Sequence, residues 1–187
     1  MLALVILSSF LVLASITDIR WRKIFNWITY PGTLVAWAFN GSGTVLLRLG
    51  WVEPGDLEPL GYIGLGPSFL GFLICGAVLV FCYVFFDIGG GDVKLLAMTG
   101  AYLGPEKGLE ALLWTLVLGG CLALILAIWR LGAWKLLRHF TLALWNWIRW
   151  RHWVGLLPRD SEQVSTPLFL APCALIAVLI VTVGGSY

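Results

Sequence analysis

Long uncharged apolar runs, separated by short polar or glycine-rich breaks, dominate the chain. Residues 1–17 carry no charge, and Asp18, Arg20, Arg22 and Lys23 follow at once. Roughly 17–25 mostly apolar residues cross a bilayer as a helix, so this run predicts a first span. It lacks the basic start and small-residue cleavage site of a signal peptide, which predicts a retained helix whose charged end faces the cytoplasm. A second span is expected over about 24–39, irregular near Pro31-Gly32 and ended by Asn40-Gly41-Ser42-Gly43. Residues 50–59, with Glu53, Asp56, Glu58 and two prolines, read as a loop. Further apolar runs cover about 61–86, 93–103, 109–129 and 168–183; Asp87 to Asp92 interrupts the pattern with three glycines, and Gly104-Pro105 closes the fourth run.

Basic residues orient these spans. Arg20, Arg22 and Lys23 follow the first, and Arg130, Lys135, Arg138, Arg149, Arg151 and Arg159 lie in one late segment, whereas residues 50–59 are acidic. Positive charge marks the cytoplasmic side, and about six spans with the N-terminus outside satisfy every loop. Asp18, Asp87 and Asp92 then share the cytoplasmic face. Residues 133–154 hold too many charges to span. At helical spacing Leu136, Leu137, Phe140, Leu144 and Trp147 form one face and Lys135, Arg138, His139 and Arg149 the other. A basic, Trp-rich amphipathic helix of this kind lies in the membrane interface. It could be a gate, a platform for anionic lipid or substrate, or a plain anchor.

The expected fold class is therefore all-α: a polytopic membrane protein with about six transmembrane helices and one interfacial helix. The whole chain, 1–187, reads as a single membrane-embedded domain with an interfacial or cytoplasmic segment at about 130–166. Composition agrees. Sixty per cent of residues are hydrophobic and 12% charged, against about 45–50% and about 25% in soluble domains. That excludes a soluble enzyme, a disordered tail and a nucleic-acid-binding domain. Cys75, Cys82, Cys121 and Cys173 lie in apolar runs without a CxxC pair, far in sequence from His139 and His152. They read as buried free thiols, with no metal site.

Acids beside spans are costly and prompt a functional reading. Asp18 closes the first run; it could be a solvated carboxylate paired with Arg22, or a working group. The second signal is Phe86-Asp87-Ile88-Gly89-Gly90-Gly91-Asp92-Val93-Lys94-Leu95-Leu96. Its glycines would permit tight turns and close approach of another chain, and Asp92 would open the next helix, where Asp is also a generic cap. A phosphate loop is disfavoured, since GxxxxGK[ST] spacing is missing. Two carboxylates on one face suggest an aspartic protease, in which a pair shares one proton and divides acid and base roles. Competing readings are a non-catalytic membrane assembly protein and a small transporter carrying protons on the two acids.

The run Gly89 to Leu96 resembles the second motif of the prepilin peptidase family, membrane aspartic proteases of GxGD type, and residues 97–104 resemble its small-residue helix. Asp18-Ile19-Arg20-Trp21-Arg22-Lys23-Ile24-Phe25-Asn26 is similar to the family's first motif, with Phe25 in place of the usual proline. Pro167 to Pro172 loosely resembles a proline-containing family segment near the C-terminus. The resemblance implies Asp18 and Asp92 as the catalytic pair. It implies substrate contacts at Gly89, Gly90, Gly91, Lys94 and Asn26, with no metal or cofactor. Lys94 could also simply snorkel to the interface. Asp87 reads as a solvated loop acid. The implied activity is cleavage, on the cytoplasmic side of the inner membrane, of the short basic leader of prepilins or pseudopilins before their hydrophobic helix. The family's cysteine-rich insert, which accompanies N-methylation, has no counterpart between Asp18 and the later spans.

Overall fold

The computed structural model describes residues 1–86, 89–131 and 170–184. Every regular element among them is helical: α1 Leu2–Trp21, α2 Asn26–Arg48, α3 Pro54–Leu57, α4 Leu65–Phe86, α5 Gly90–Leu131 and α6 Leu170–Gly184, with a 3-10 turn at Glu58–Leu60. The chain divides into two compact units, Met1–Val117 with Phe169–Tyr187, and Leu118–Leu168. Of the second, the described residues 118–131 are helical.

Three stretches are long and apolar enough to cross a membrane, Leu2–Trp21, Pro54–Phe85 and Gly90–Leu126, and α6 is a shorter apolar helix. Large apolar side chains such as Val5, Ile16, Leu34 and Val84 point outward. Such a surface suits lipid and not water, and the protein is a helical membrane protein. By length and composition the helices thus support three crossings and one shorter apolar helix, where the hydropathy pattern predicts about six spans.

The helices meet through small residues, as expected where lipid removes the hydrophobic drive for helix association. α1 buries Ala3, Leu7, Leu11, Ala14 and Asp18, a single stripe at three- and four-residue spacing. Against it packs α6, which buries Ala171, Ala174, Ala177 and Val178. α2 turns Thr29, Gly32, Thr33, Ala36, Asn40 and Gly43 inward and leaves Trp27 80% exposed, an inversion of the soluble pattern. The first part of α5 is buried from Leu95 to Gly104. Added methyls at Gly71 of α4 or Gly100 of α5 would each run into the other glycine's backbone, and Ser68 Oγ donates to the Ala101 carbonyl at 2.6 Å.

Several expectations are corrected. α1 does not end at residue 17 but continues to Trp21, so Asp18 and Arg20 belong to its last turn. α2 is not broken at Asn40-Gly41-Ser42-Gly43 and runs on to Arg48. Asn40 Nδ2 donates to the Ala36 carbonyl at 3.0 Å and Thr44 Oγ1 to the Asn40 carbonyl at 2.7 Å. Asn40 Oδ1 also accepts from the Ile63 N–H at 3.1 Å, and Thr44 bonds the Tyr62 hydroxyl at 2.9 Å. The polar run therefore anchors the following loop and leaves the helix intact. Within that loop Pro54 opens α3, as proline suits a first helical turn. α4 starts at Leu65, not Gly61, because Gly61 and Gly64 take φ 88° and 89°. As the sequence predicts, the helical run from Gly90 is broken at Gly104, with φ 80° and ψ −176°, just before Pro105. Cys75 and Cys173 are buried free thiols, whereas Cys82 is partly exposed and Cys121 exposed on the apolar α5. The expected interfacial helix at 133–154, and Asp87, lie outside the described residues.

Candidate active site

Asp18 follows Ala14 by four residues and so falls on the buried stripe of α1, where it is only 7% exposed. The Arg22 N–H takes the Asp18 main-chain carbonyl at 2.8 Å, with Arg22 at φ 52° closing the helix. The Asp18 carboxylate finds its donor on another helix: the Ala171 N–H, in the first turn of α6, reaches Oδ2 at 3.3 Å.

Asp92 is the third residue of α5. Its N–H bonds the Gly89 carbonyl at 3.0 Å, and its carboxylate folds back so that a methyl on Gly89 would lie 2.9 Å from Oδ2. Asp92 is close enough to Asp18 to feel its charge, and Cys173 of α6 feels Asp18 likewise. The end of α1 and the start of α5 thus bring two carboxylates, 74 positions apart in the chain (92 − 18), into one site.

The three glycines divide their tasks. Gly89 leaves room for the Asp92 carboxylate. A methyl on Gly91 would lie 3.0 Å from Ile24 Cβ and 3.4 Å from its carbonyl oxygen, so this glycine lets α5 close on the α1–α2 connection. Gly90 meets nothing nearer than Tyr83, at 4.0 Å. The described glycines with positive φ are Gly50, Gly61, Gly64 and Gly104. The expected tight turn is present as the Asp92 N–H bond to the Gly89 carbonyl, and close approach is a second demand on these positions.

Lys94 and Asn26 are brought to each other. Nζ donates to Asn26 Oδ1 at 2.9 Å and lies 5.2 Å from the Tyr30 ring centroid. Lys94 and Tyr30 help line a groove of about 700 Å³ between α2, α4 and α5, whose other lining groups include Trp37, Phe72, Val80 and Val93. Phe25, where the resembled motif has proline, is the N-cap of α2 at φ −79° and ψ 138°. Proline holds φ near −65°, so the backbone already has the shape the missing proline would impose. Among the described residues no cluster of three or more His, Cys, Asp or Glu could hold a metal ion. Sequence reasoning assigned no role to Ile24, Ala171 or Cys173. The apolar run at about 168–183 signalled α6, and Pro167 to Pro172 only a loose family resemblance; nothing local in either pointed to Asp18.

A bundle of apolar helices with two carboxylates at its helix ends, the charge of Asp18 acting on Asp92, has the makings of a membrane hydrolase. The type IV leader peptidase family matches residues 5–124, a region containing Asp18, Asp92, all three glycines, Lys94 and Asn26. The chain belongs to that family, one of membrane peptidases that act on prepilin-type substrates. No curated protein and no solved structure matches it.

Proposed function

We propose that this leader peptidase is of the aspartic type, with Asp18 and Asp92 as the catalytic pair. What carries the reading is the meeting of the last turn of α1 with the first turn of α5, which gives each carboxylate the other as neighbour. In the proposed reaction one acid keeps its proton and hydrogen-bonds the scissile carbonyl. The ionised partner takes a proton from water as the water oxygen attacks the carbonyl carbon. The tetrahedral intermediate collapses by breaking the C–N bond, and the proton taken from water passes to the leaving amine. Like charges so close cannot both ionise readily, which keeps one proton in the pair. No metal or cofactor is needed for these steps.

The substrate is a prepilin or pseudopilin whose short basic leader is cut before its hydrophobic helix. Gly89, Gly90 and Gly91 offer the backbone of an open helix start to the extended chain, and Lys94 and Asn26 frame its far side. The apolar groove beside Val93 suits the hydrophobic stretch that follows the cut. We further propose one membrane-embedded peptidase domain, six crossings in the inner membrane, lipid contacts through the basic 133–154 segment, and an active site facing the cytoplasm. Placing the 104–105 break between two crossings and adding α2 and α6 supplies the three beyond those long and apolar enough by themselves.

The test is cleavage of a prepilin-like protein by purified enzyme in detergent. Wild type should cut it, while Asp18→Asn and Asp92→Asn should each lose activity about 10³-fold or more and stay folded. The double variant should be no worse than either, since groups acting as a unit are non-additive. Rate should follow a bell in pH that belongs to the pair. A wild-type protein that never cuts would leave the non-catalytic assembly role as the better reading.

A further inference from the structure

We infer that the first turn of α6 is a positioning element of the reaction, through the Ala171 N–H that holds Asp18 Oδ2. The inference rests on the assignment of Asp18 to the catalytic pair. Asp18 lies in the last turn of α1, the negative end of that helix, and the nearby Arg22 N–H is already taken by the Asp18 main-chain carbonyl. The donor comes from α6, 153 positions away, at 3.3 Å. First-turn N–H groups have no partner inside their own helix, and Pro172 has none to offer, so Ala171 is placed to donate outward. Its 0% exposure and the 7% exposure of Asp18 leave water little room to replace it.

Holding Oδ2 leaves Oδ1 as the oxygen for the attacking water. The positive end of α6 also offsets the negative end of α1 at the carboxylate. Small residues on α6 (Ala171, Ala174 and Ala177) keep the two helices close enough for this bond. The charged and titratable neighbours that act on or feel Asp18 among the described residues are Asp92 from α5 and Cys173 from α6. α6 starts at residue 170, beyond residues 5–124 that match the family, so the site as inferred needs an element outside the matched region.

The test replaces Ala171 by lactic acid in the full-length protein, turning the amide into an ester that removes the N–H and keeps the side chain. Ala171→Pro removes the same donor within the first turn, where that N–H has no partner inside its own helix, and Ala171→Gly keeps it. Cleavage of a prepilin-like peptide is measured as kcat and KM, with the unfolding midpoint of each variant in detergent. The ester and Ala171→Pro should lose about 10- to 100-fold in kcat, the size of a hydrogen bond to a charged group. KM should stay within about twofold, and Ala171→Gly should match wild type, as expected when an interaction acts on the chemical step. An ester variant with wild-type kcat overturns the inference. So does a loss shared by Ala171→Gly and tracking the unfolding midpoint, which would make α6 a packing element. An Asp18→Asn protein that still cuts at the wild-type rate would instead remove the catalytic pair on which the inference rests.

Discussion

At the scale of single residues, the glycine run before Asp92 divides into positions with different demands. A methyl at Gly89 would press on the Asp92 carboxylate at 2.9 Å, and the side chain can escape only by rotating away. Gly89→Ala should therefore leave the protein folded and lower kcat/KM about 10²-fold, the cost of roughly 1 Å of misplacement. Gly90→Ala, with open space around it, should stay within about threefold of wild type and gain slightly in helix stability. Assaying the two side by side separates a steric demand at 89 from a general dislike of side chains in this turn. Equal losses would contradict the division. Phe25 allows a similar test. Its φ of −79° predicts that Phe25→Pro folds and cleaves normally. The substitution removes the edge-on packing of Phe25 against Trp21, whose ring centroids are 6.0 Å apart. The stiffer unfolded chain should offset that loss of packing to within about 1 kcal/mol. Thermal unfolding and a cleavage assay check both halves.

At the scale of elements, the helices are placed by how closely their small residues meet. The crossing of α4 and α5 at Gly71 and Gly100 has no room for a methyl on either side. Gly71→Ala should force the helices apart and destabilise the protein by about 1–3 kcal/mol, seen as a lower unfolding midpoint. Because α5 also carries Asp92, activity should fall with stability. A normal midpoint would show that the helices slide freely here. Much of each element was legible beforehand. The apolar runs located the long helices among the described residues, but not the stripe of Leu7, Leu11, Ala14 and Asp18 that α1 buries, because the residues on its other faces are just as apolar. The continuation of α2 through Asn40 and Gly43 was not legible, because what rescues it comes from Tyr62 and Ile63, about two dozen residues on. The same limit hid the partners of the site. Lys94 finds Asn26 across 68 positions, and Ala171 finds Asp18 across 153. No local pattern encodes either pairing, whereas the two acids stood out because charge beside an apolar run is costly wherever it occurs.

For the whole molecule, the site constrains orientation. Asp18 ends α1 and Asp92 begins α5, and the charge of one acts on the other, so both helix ends must face the same side of the membrane. The α1–α2 connection, with Arg22 and Lys23, shares that side. The opposite end of α2 leads into residues 50–59, whose charges are Glu53, Asp56 and Glu58. In the proposed topology the first side is the cytoplasm, as the positive-inside rule would have it. Single cysteines test this in a protein whose four native cysteines are replaced, a necessary step because Cys121 is exposed. Trp51, 76% exposed, should as Trp51→Cys react with a membrane-impermeant maleimide in intact cells. Lys23→Cys should react only after the membrane is opened. Reversing the charge bias, by Arg20→Glu, Arg22→Glu and Lys23→Glu together, should reduce the fraction of correctly oriented protein and with it prepilin processing in cells. The three positions precede the first motif's Asn26 but leave both catalytic candidates in place, so purified, correctly folded enzyme should still cut. Labelling of Lys23→Cys from outside intact cells, alongside normal processing, would put the carboxylate pair on the wrong side for a cytoplasmic leader and would require the substrate to be cut after crossing the membrane.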